Sequence, residues 1–112
     1  MPAAPVLDVP APVRPQACPV EDWLDFLGHR WNALILWHLR VPRRHGELAA
    51  QLPGITPKVL AERLSALARR GLVRRSVGAG FPRTVDYAVT PRGAGLLSVL
   101  DQLELWAKVP AG

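Results

Sequence analysis

The clearest pattern of hydrophobic and polar positions in the chain lies between residues 56 and 71. Leu60, Leu64 and Leu67 recur at intervals of four and three residues, which is the spacing of one face of an α-helix. Thr56 stands before them as a good N-cap, and a proline follows it at the first helical position, where its missing N–H costs nothing. A glycine ends the segment. The pattern predicts a helix over about 56–70.

A second, shorter helical pattern comes directly before this one. Leu48 and Leu52 are spaced four residues apart, and Pro53-Gly54 then breaks the helix. Two helices joined by a short turn that contains glycine form a helix-turn-helix, whose second helix enters the DNA major groove. The alternative is an ordinary amphipathic hairpin with a solvated face, because this pattern alone is degenerate.

The polar side of the predicted second helix supplies candidate DNA contacts. At about 100° per residue, its hydrogen-bonding and mainly cationic side chains lie opposite the leucines. We name Thr56 at its start as a phosphate ligand, because helix N-termini bind anions. The other candidates on this face are Lys58, Glu62, Ser65 and Arg69, and Arg63 is a candidate on one flank of the helix, where Arg70 also lies.

A β-hairpin is predicted after Gly71. The segments LVRRSV and TVDYAV have strand character, and the second alternates apolar with polar or small residues. The flexible sequence GAGFPR joins them, so a wing of about 72–89 follows the helix pair. Arg83, near the tip, is a candidate contact to the minor groove or to a phosphate. This order of elements is more specific than the helix pair alone.

The remaining helices complete a mostly α-helical fold with a small β-hairpin wing. We predict helices over about 19–27, 31–40 and 91–108, and we expect the second of these, apolar nearly all round, to be buried. The last helix carries more apolar surface than one small chain readily covers, so with the first helix it is interpreted as a homodimer interface. The alternative is packing within one chain. The proposed interface residues are Trp23, Phe26, Leu96, Leu100, Leu103 and Trp106.

Composition and charge agree with one DNA-binding domain. The 112 residues carry a net charge of +5. Residues 40–92 hold eleven Lys and Arg against three Asp and Glu, a local net of +8, and the rest of the chain is net −3. A basic middle between acidic ends is typical of a phosphate-binding surface. Residues 1–17 are rich in proline and are predicted to be a disordered tail, with the domain over 18–112.

Several other functional classes find little support. No apolar run is long enough to span a membrane, no signal peptide is recognised, and one cysteine fits a reducing compartment, so we expect a cytoplasmic, nucleoid-associated protein. We expect no cofactor and no metal, because the three histidines lack metal-site spacing. No nucleophile motif or phosphate loop indicates an enzyme. A small-molecule pocket among the tryptophans stays an open alternative.

The order of these motifs resembles the HxlR-type winged helix-turn-helix regulators over residues 18–106. The shared features are Cys18-Pro19, Gly-x-x-Trp between the first two helices, LPGITPK into the recognition helix, Gly-Leu-Val, and Val-Asp-Tyr followed by Thr90. The resemblance implies a bacterial dimeric transcription factor whose terminal helices pair and whose wings flank the recognition helices.

The chain departs from the family pattern at three places. His45-Gly46 stands where Phe-Ser is frequent; Gly46 can cap the first helix of the pair, though it offers no side-chain oxygen. Gly78-Ala79-Gly80 replaces an aromatic and prolines, so the wing tip should be looser. The family usually has a basic residue just before Val-Asp-Tyr, but Thr84 occupies that position here and Arg83 lies one position earlier. Arg83 is therefore the least secure of the proposed DNA contacts.

The resulting hypothesis is a regulator, expected to be a repressor, that binds an inverted-repeat duplex operator as a homodimer. Cys18 at a helix N-terminus is a candidate sensor of oxidants or electrophiles, since such thiols can have a lowered pKa and the family contains sensors at this position. Its alternative role is a small capping residue. Two other functions stay open: a MarR-like or PadR-like regulator with a small-molecule effector, and a winged-helix module that binds protein rather than DNA.

Overall fold

The computed structural model describes residues 19–110 and divides them into five helices and three short strands. Three helices precede the recognition helix, and two strands and a long helix follow it. In chain order the elements are α1 (Pro19–Leu27), α2 (Arg30–His38), β1 (Arg43–Arg44), α3 (His45–Gln51), α4 (Pro57–Arg69), β2 (Val73–Val77), β3 (Val85–Val89) and α5 (Pro91–Lys108).

The same capping device starts the two longest helices. The hydroxyl of Thr56 accepts a hydrogen bond from the N–H of Val59 at 3.1 Å, and a proline occupies the first helical position of α4. Thr90 accepts in the same way from the N–H of Gly93 at 3.0 Å at the start of α5. Each threonine satisfies an N–H that the helix leaves without a partner. The starts predicted for both helices are confirmed.

The turn between α3 and α4 relies on a glycine. Gly54 has φ of +94°, a left-handed conformation that L side chains rarely adopt. The N–H of Ile55 donates to the carbonyl of Leu52 at 3.1 Å, which closes the turn. Gly46, which can cap a helix, lies inside α3 and does not cap it. The N-cap is Arg44, whose N–H donates to the Glu47 carboxylate at 2.7 Å, since a glutamate three residues on can reach back to that position.

A strand that the sequence did not predict joins the wing to the helix pair. Arg43 and Arg44 pair antiparallel with Tyr87 and Asp86, so the sheet has the order β1-β3-β2. Two residues are too few to show alternation, and the strand is therefore invisible to a periodicity argument. Arg43 Nε also donates to the carbonyl of His38 at 2.8 Å. Burial, and next the charge of Arg43, lower the pKa of His38, which favours its neutral form.

The core lies where α2, α3 and α4 meet the start of β2. The leucine stripe predicted on α4 is buried within this core. The core residues are Ile35, Leu36, Leu39, Leu48, Leu52, Leu60, Leu64, Leu67, Leu72, Val73 and Leu97. The expectation that α2 is buried holds for Ile35 and Leu36 but is wrong for Leu34 and Trp37, which are exposed. These two side chains border a groove between α2 and the second half of α5.

The long helix α5 touches the domain mainly through its first half. Gly93 and Leu97 are its only fully buried residues, and both lie in the first two turns. Most of the later apolar side chains are exposed. Among the helices of residues 19–110, none combines the length and the hydropathy needed to cross a membrane.

Candidate nucleic-acid interface

The outward face of α4 is polar and open to solvent. Lys58, Glu62, Ser65 and Arg69 are all exposed, on the side of the helix opposite the buried leucines. A shallow groove runs along this face and is lined by Ala61, Glu62, Arg63, Ser65 and Arg69. The structure therefore brings four of the predicted contact residues onto one surface.

The other two candidates on α4 lie at its N-terminal end. Lys58 is in the first turn, and Thr56 precedes the helix with its side chain exposed. The Thr56 oxygen accepts from Val59, which leaves the hydroxyl proton to donate to an anion. Arg63 is half-buried on the flank of the helix and is one of the residues that line the groove.

Partners within the domain divide the cations into two groups. Six of the thirteen Lys and Arg residues between 19 and 110 make no ion pair, hydrogen bond or ring contact through their side chains within that range. All six lie on α4 or on the wing. They are Lys58, Arg63, Arg69, Arg74, Arg75 and Arg83.

Each of the seven other cations in residues 19–110 has a partner in the fold. Arg40 pairs with Asp101, Arg44 lies 3.8 Å from Asp86, and Lys108 lies 3.2 Å from Glu104. The remaining four contact rings, a carbonyl or a carboxylate: Arg30, Arg43, Arg70 and Arg92. The cations elsewhere in the described fold are thus engaged in internal contacts, and the unpaired ones are confined to α4 and the wing.

Arg70 illustrates the difference between the two groups. The sequence placed it on the same flank of α4 as Arg63. In the structure its guanidinium donates to both carboxylate oxygens of Asp22, at 2.9 and 3.3 Å. It also lies 4.6 Å from the ring centroid of Trp23 and 4.2 Å from that of Phe26. Arg70 therefore ties α4 to α1 and is not part of the outward surface.

The wing carries further exposed cations. The N–H of Gly78 donates to the carbonyl of Thr84 at 2.7 Å, which closes a loop with Arg83 exposed at its end. Phe81 at the tip is 98% exposed. Arg74 and Arg75 on β2 are exposed and were not among the predicted contact residues. Their position after Gly71 was visible in the sequence, but which of them faces α4 depends on the strand register.

The predicted dimer residues differ in how much one chain covers them. Trp23, Phe26, Leu96 and Leu100 are half-buried and pack against the core of their own chain. Leu103 and Trp106 are 58% and 73% exposed. Cys18 and the tail over 1–17 lie outside the described residues. Within the described part of the chain, no three His, Cys, Asp or Glu side chains are grouped so that they could hold a metal ion.

Comparison with known families gives a match over most of the chain. The model described as HxlR-like helix-turn-helix matches residues 26–111. The putative regulatory protein MalR of Fusobacterium mortiferum is 39% identical over 93 residues, covering 81% of this chain and 88% of that protein. The HTH-type transcriptional regulator YodB of Bacillus subtilis is 38% identical over 92 residues, covering 80% and 82%.

Solved structures of similar regulators have the same fold. The reduced form of YodB from Bacillus subtilis matches with a TM-score of 0.75 at 38% identity, covering 80% of this chain and 90% of that chain. The redox regulator HypR in its oxidised form matches with a TM-score of 0.74 at 30% identity, covering 85% and 99%. YodB has also been solved after diamide treatment and with bound quinone. The winged helix-turn-helix fold predicted from the sequence is confirmed.

Proposed function

Because the chain belongs to the HxlR-like helix-turn-helix family of DNA-binding transcriptional regulators, we propose that it represses transcription by binding an inverted-repeat operator as a homodimer. The observation that carries this proposal is the confinement of every unpaired cation of residues 19–110 to α4 and the wing. Phosphate contacts provide much of the affinity of a DNA-binding protein and fix its register on the duplex. Such a protein acts in the cytoplasm on the nucleoid, and no catalytic step is part of the proposal.

The residues of α4 divide by the chemistry that each can perform. Lys58 and Arg63 would contact bases or phosphates, and a bidentate arginine–guanine pair discriminates by about 1–3 kcal/mol. Thr56, with the N-terminus of α4, would bind a phosphate. Glu62 can accept from the amino group of a cytosine, and it also repels phosphates, which limits non-specific binding. Ser65 and Arg69 extend the contact along the groove, and Arg83 would reach the minor groove from the wing.

Homodimerisation is supported by the apolar surface that one chain leaves open. The second half of α5 has exposed apolar side chains at Val99, Leu103, Leu105 and Trp106, and α1 adds Val20 and Leu24. Pairing these two helices with those of a second chain would cover them. A two-fold dimer would also place two copies of α4 about one helical turn of DNA apart, which requires a palindromic operator.

The two lysines of the chain provide a matched test. Lys58 is unpaired on α4, whereas Lys108 on α5 pairs with Glu104. An operator would first be selected from a random pool with the full-length protein, and binding measured by gel shift across a salt series. We expect Lys58→Ala to weaken binding and to reduce the salt dependence by about one unit per chain. Lys108→Ala should change neither, because an exposed ion pair contributes little.

The same experiment distinguishes the competing function. A winged-helix module that binds protein would recover no enriched DNA sequence, and equal behaviour of Lys58→Ala and Lys108→Ala would contradict the proposed role of α4. Arg63→Ala should abolish specific binding while its circular dichroism spectrum and oligomeric state remain those of the wild type.

We propose further that Cys18 makes operator binding sensitive to oxidants or electrophiles. Relatives solved in reduced, oxidised, diamide-treated and quinone-bound forms favour this over an unidentified small-molecule effector. Diamide would take two electrons and two protons from two Cys18 thiols, forming one disulfide between chains and a hydrazine. A quinone would instead be attacked by the thiolate at a ring carbon, forming a C–S bond, and one proton from solvent would complete the thioether-substituted hydroquinone. Helix α1 begins at the next residue, and Asp22 on α1 is tied to Arg70 at the end of α4.

Treatment with diamide tests this sensor role directly. We expect the wild type to lose operator affinity and to run at the mass of a dimer on a non-reducing gel. Cys18→Ser should bind the operator equally with and without diamide, and it is a complete control because the chain has no other cysteine. Unchanged binding of the treated wild type would leave Cys18 as a capping residue only.

A further inference from the structure

A cleft separates the recognition helix from the sheet on the side away from Arg63. Four of its lining residues are small, polar or aromatic, one is a leucine and one is an arginine. The lining residues are Ala61, Leu64, Ser65, Ala68, Arg75 and Tyr87. Three of the four residues that α4 contributes to this lining are alanine or serine, whose side chains are short.

The strand register determines which arginine of β2 reaches this cleft. Arg75 pairs with Tyr87 across the sheet, so their side chains lie on the same face. Arg74 pairs with Ala88 and projects from the opposite face, because successive side chains of a strand alternate. The two arginines are adjacent, exposed and equal in charge, but only Arg75 lines the cleft beside α4.

The polar groups of the cleft are donors without acceptors. Arg75 has no ion pair, and the hydroxyls of Ser65 and Tyr87 have no hydrogen-bond partner, within residues 19–110. No carboxylate lines the cleft. Asp86 projects from the other face of β3, next to Arg44. A guanidinium and two hydroxyls around an open space, with no negative charge among them, favour an anion that accepts several hydrogen bonds.

We propose that Arg75, with the hydroxyls of Ser65 and Tyr87, binds one backbone phosphate of the DNA strand that passes between the recognition helix and the wing. The proposal rests on the proposed function and adds a site to it. The planar guanidinium can donate two parallel hydrogen bonds to a phosphodiester. This contact fixes how deeply α4 sits in the major groove and carries no sequence information of its own.

The neighbouring arginines give a control matched in charge, exposure and strand. With the selected operator, we expect Arg75→Ala to weaken binding about tenfold, the order expected for a charge-assisted hydrogen bond, and to lower the salt slope by about one unit per chain. Arg74→Ala should stay within about twofold of the wild type. Both variants should keep the wild-type melting temperature, since neither side chain has a partner in the described fold. Arg75→Gln repeats the test with the length of the side chain retained.

Single methylphosphonate substitutions in the operator identify the phosphate itself. At one position in each half-site, removing the phosphate charge should weaken operator binding by the wild type but cause no further loss of binding by Arg75→Ala. The same substitution should still weaken Arg74→Ala. A position with this non-additive behaviour locates the contact without a structure of the complex.

The outcomes separate this inference from the function on which it rests. If the wild type selects no DNA, the proposed function fails. If the wild type binds an operator and the Arg75 and Arg74 variants behave alike, the inference alone fails. A loss in Arg75→Ala that depends on base sequence would indicate a base contact and overturn it. The inference is also overturned if the cleft binds a free anion instead of DNA. Inorganic phosphate would then raise the melting temperature of the wild type but not of Arg75→Ala, and the two proteins would bind the operator equally.

Discussion

Two glycines of α5 differ at the level of single residues, although the sequence presents them alike. A methyl group at Gly93 would overlap the carbonyl oxygen of Leu72 and lie 3.3 Å from Cβ of Val89. The Leu72 oxygen is already held by the N–H of Thr90 at 3.0 Å, so the backbone cannot move away easily. At Gly95, a methyl group would meet nothing within 4 Å. Gly93 is therefore needed for close packing, and Gly95 is not.

This difference predicts substitutions of opposite sign. We expect Gly93→Ala to lower the free energy of unfolding by about 1–3 kcal/mol, the usual cost of overpacking. Gly95→Ala should raise it by about 0.5–1 kcal/mol, because alanine loses less conformational entropy in a helix than glycine. Urea unfolding at one fixed protein concentration measures both. Destabilisation by both variants to the same extent would mean that α5 does not dock on Leu72 as described.

Arg69 and Arg70 show where sequence reasoning stops at this scale. Both are arginines at the end of α4, and helical spacing separates them by only 100°. Arg69 is exposed on the outward face, while Arg70 is half-buried between Asp22 and two aromatic rings of α1. The period of α4 puts Arg69 opposite the leucines and Arg70 on the flank, but nothing in α4 itself shows what Arg70 contacts there. That depends on how α1 packs, and the contact is a tertiary one between residues 48 positions apart.

At the level of elements, the helix pair and the hairpin were predictable because their signals are local. A cap, a period of 3.6 or 2, and a terminating glycine all lie within the element that they specify. The observed α4 runs from Pro57 to Arg69, inside the predicted 56–70. The polar face of α4 follows from the same period, which is why Lys58, Glu62 and Ser65 could be placed on it from the sequence.

Elements defined by their neighbours were not predictable in the same way. Strand β1 exists only because β3 offers it a partner, and α2 is exposed at Leu34 and Trp37 because α5 does not cover them. The cleft with Arg75 has the same origin. Its position is set by the pairing of β2 with β3 and by the packing of both against α4. Counting arginines along the sequence identifies the basic segment, but it does not show which of those arginines lie beside α4 and which face away from it.

On the scale of the whole molecule, the unpaired charge and the exposed apolar surface of the helices occupy different elements, although the wing also exposes Val77 and Phe81. The cations without partners among residues 19–110 lie on α4 and the wing, whereas the exposed apolar side chains of the helices cluster on α1, on α5 and beside the groove next to α2. The cationic surface that suits a polyanion and the apolar surface of the helices that suits a protein partner are therefore separate. A second copy of the chain could occupy the apolar surface without hiding the cationic one, so dimerisation and DNA binding are geometrically compatible.

Leu103 tests this separation, with Val41 as its control. The two side chains are 58% and 57% exposed, but Leu103 lies on the apolar surface of α5 and Val41 in the connection after α2. We expect Leu103→Glu to shift the protein to monomers in analytical ultracentrifugation, because a carboxylate would be buried without a partner between two chains. Operator affinity should fall with it, since each monomer would bind only one half-site. Val41→Glu should leave both properties unchanged. A Leu103→Glu protein that stays dimeric would place the interface elsewhere on the chain, and one that is monomeric but binds the operator as tightly as the wild type would show that pairing through α5 is not needed for recognition.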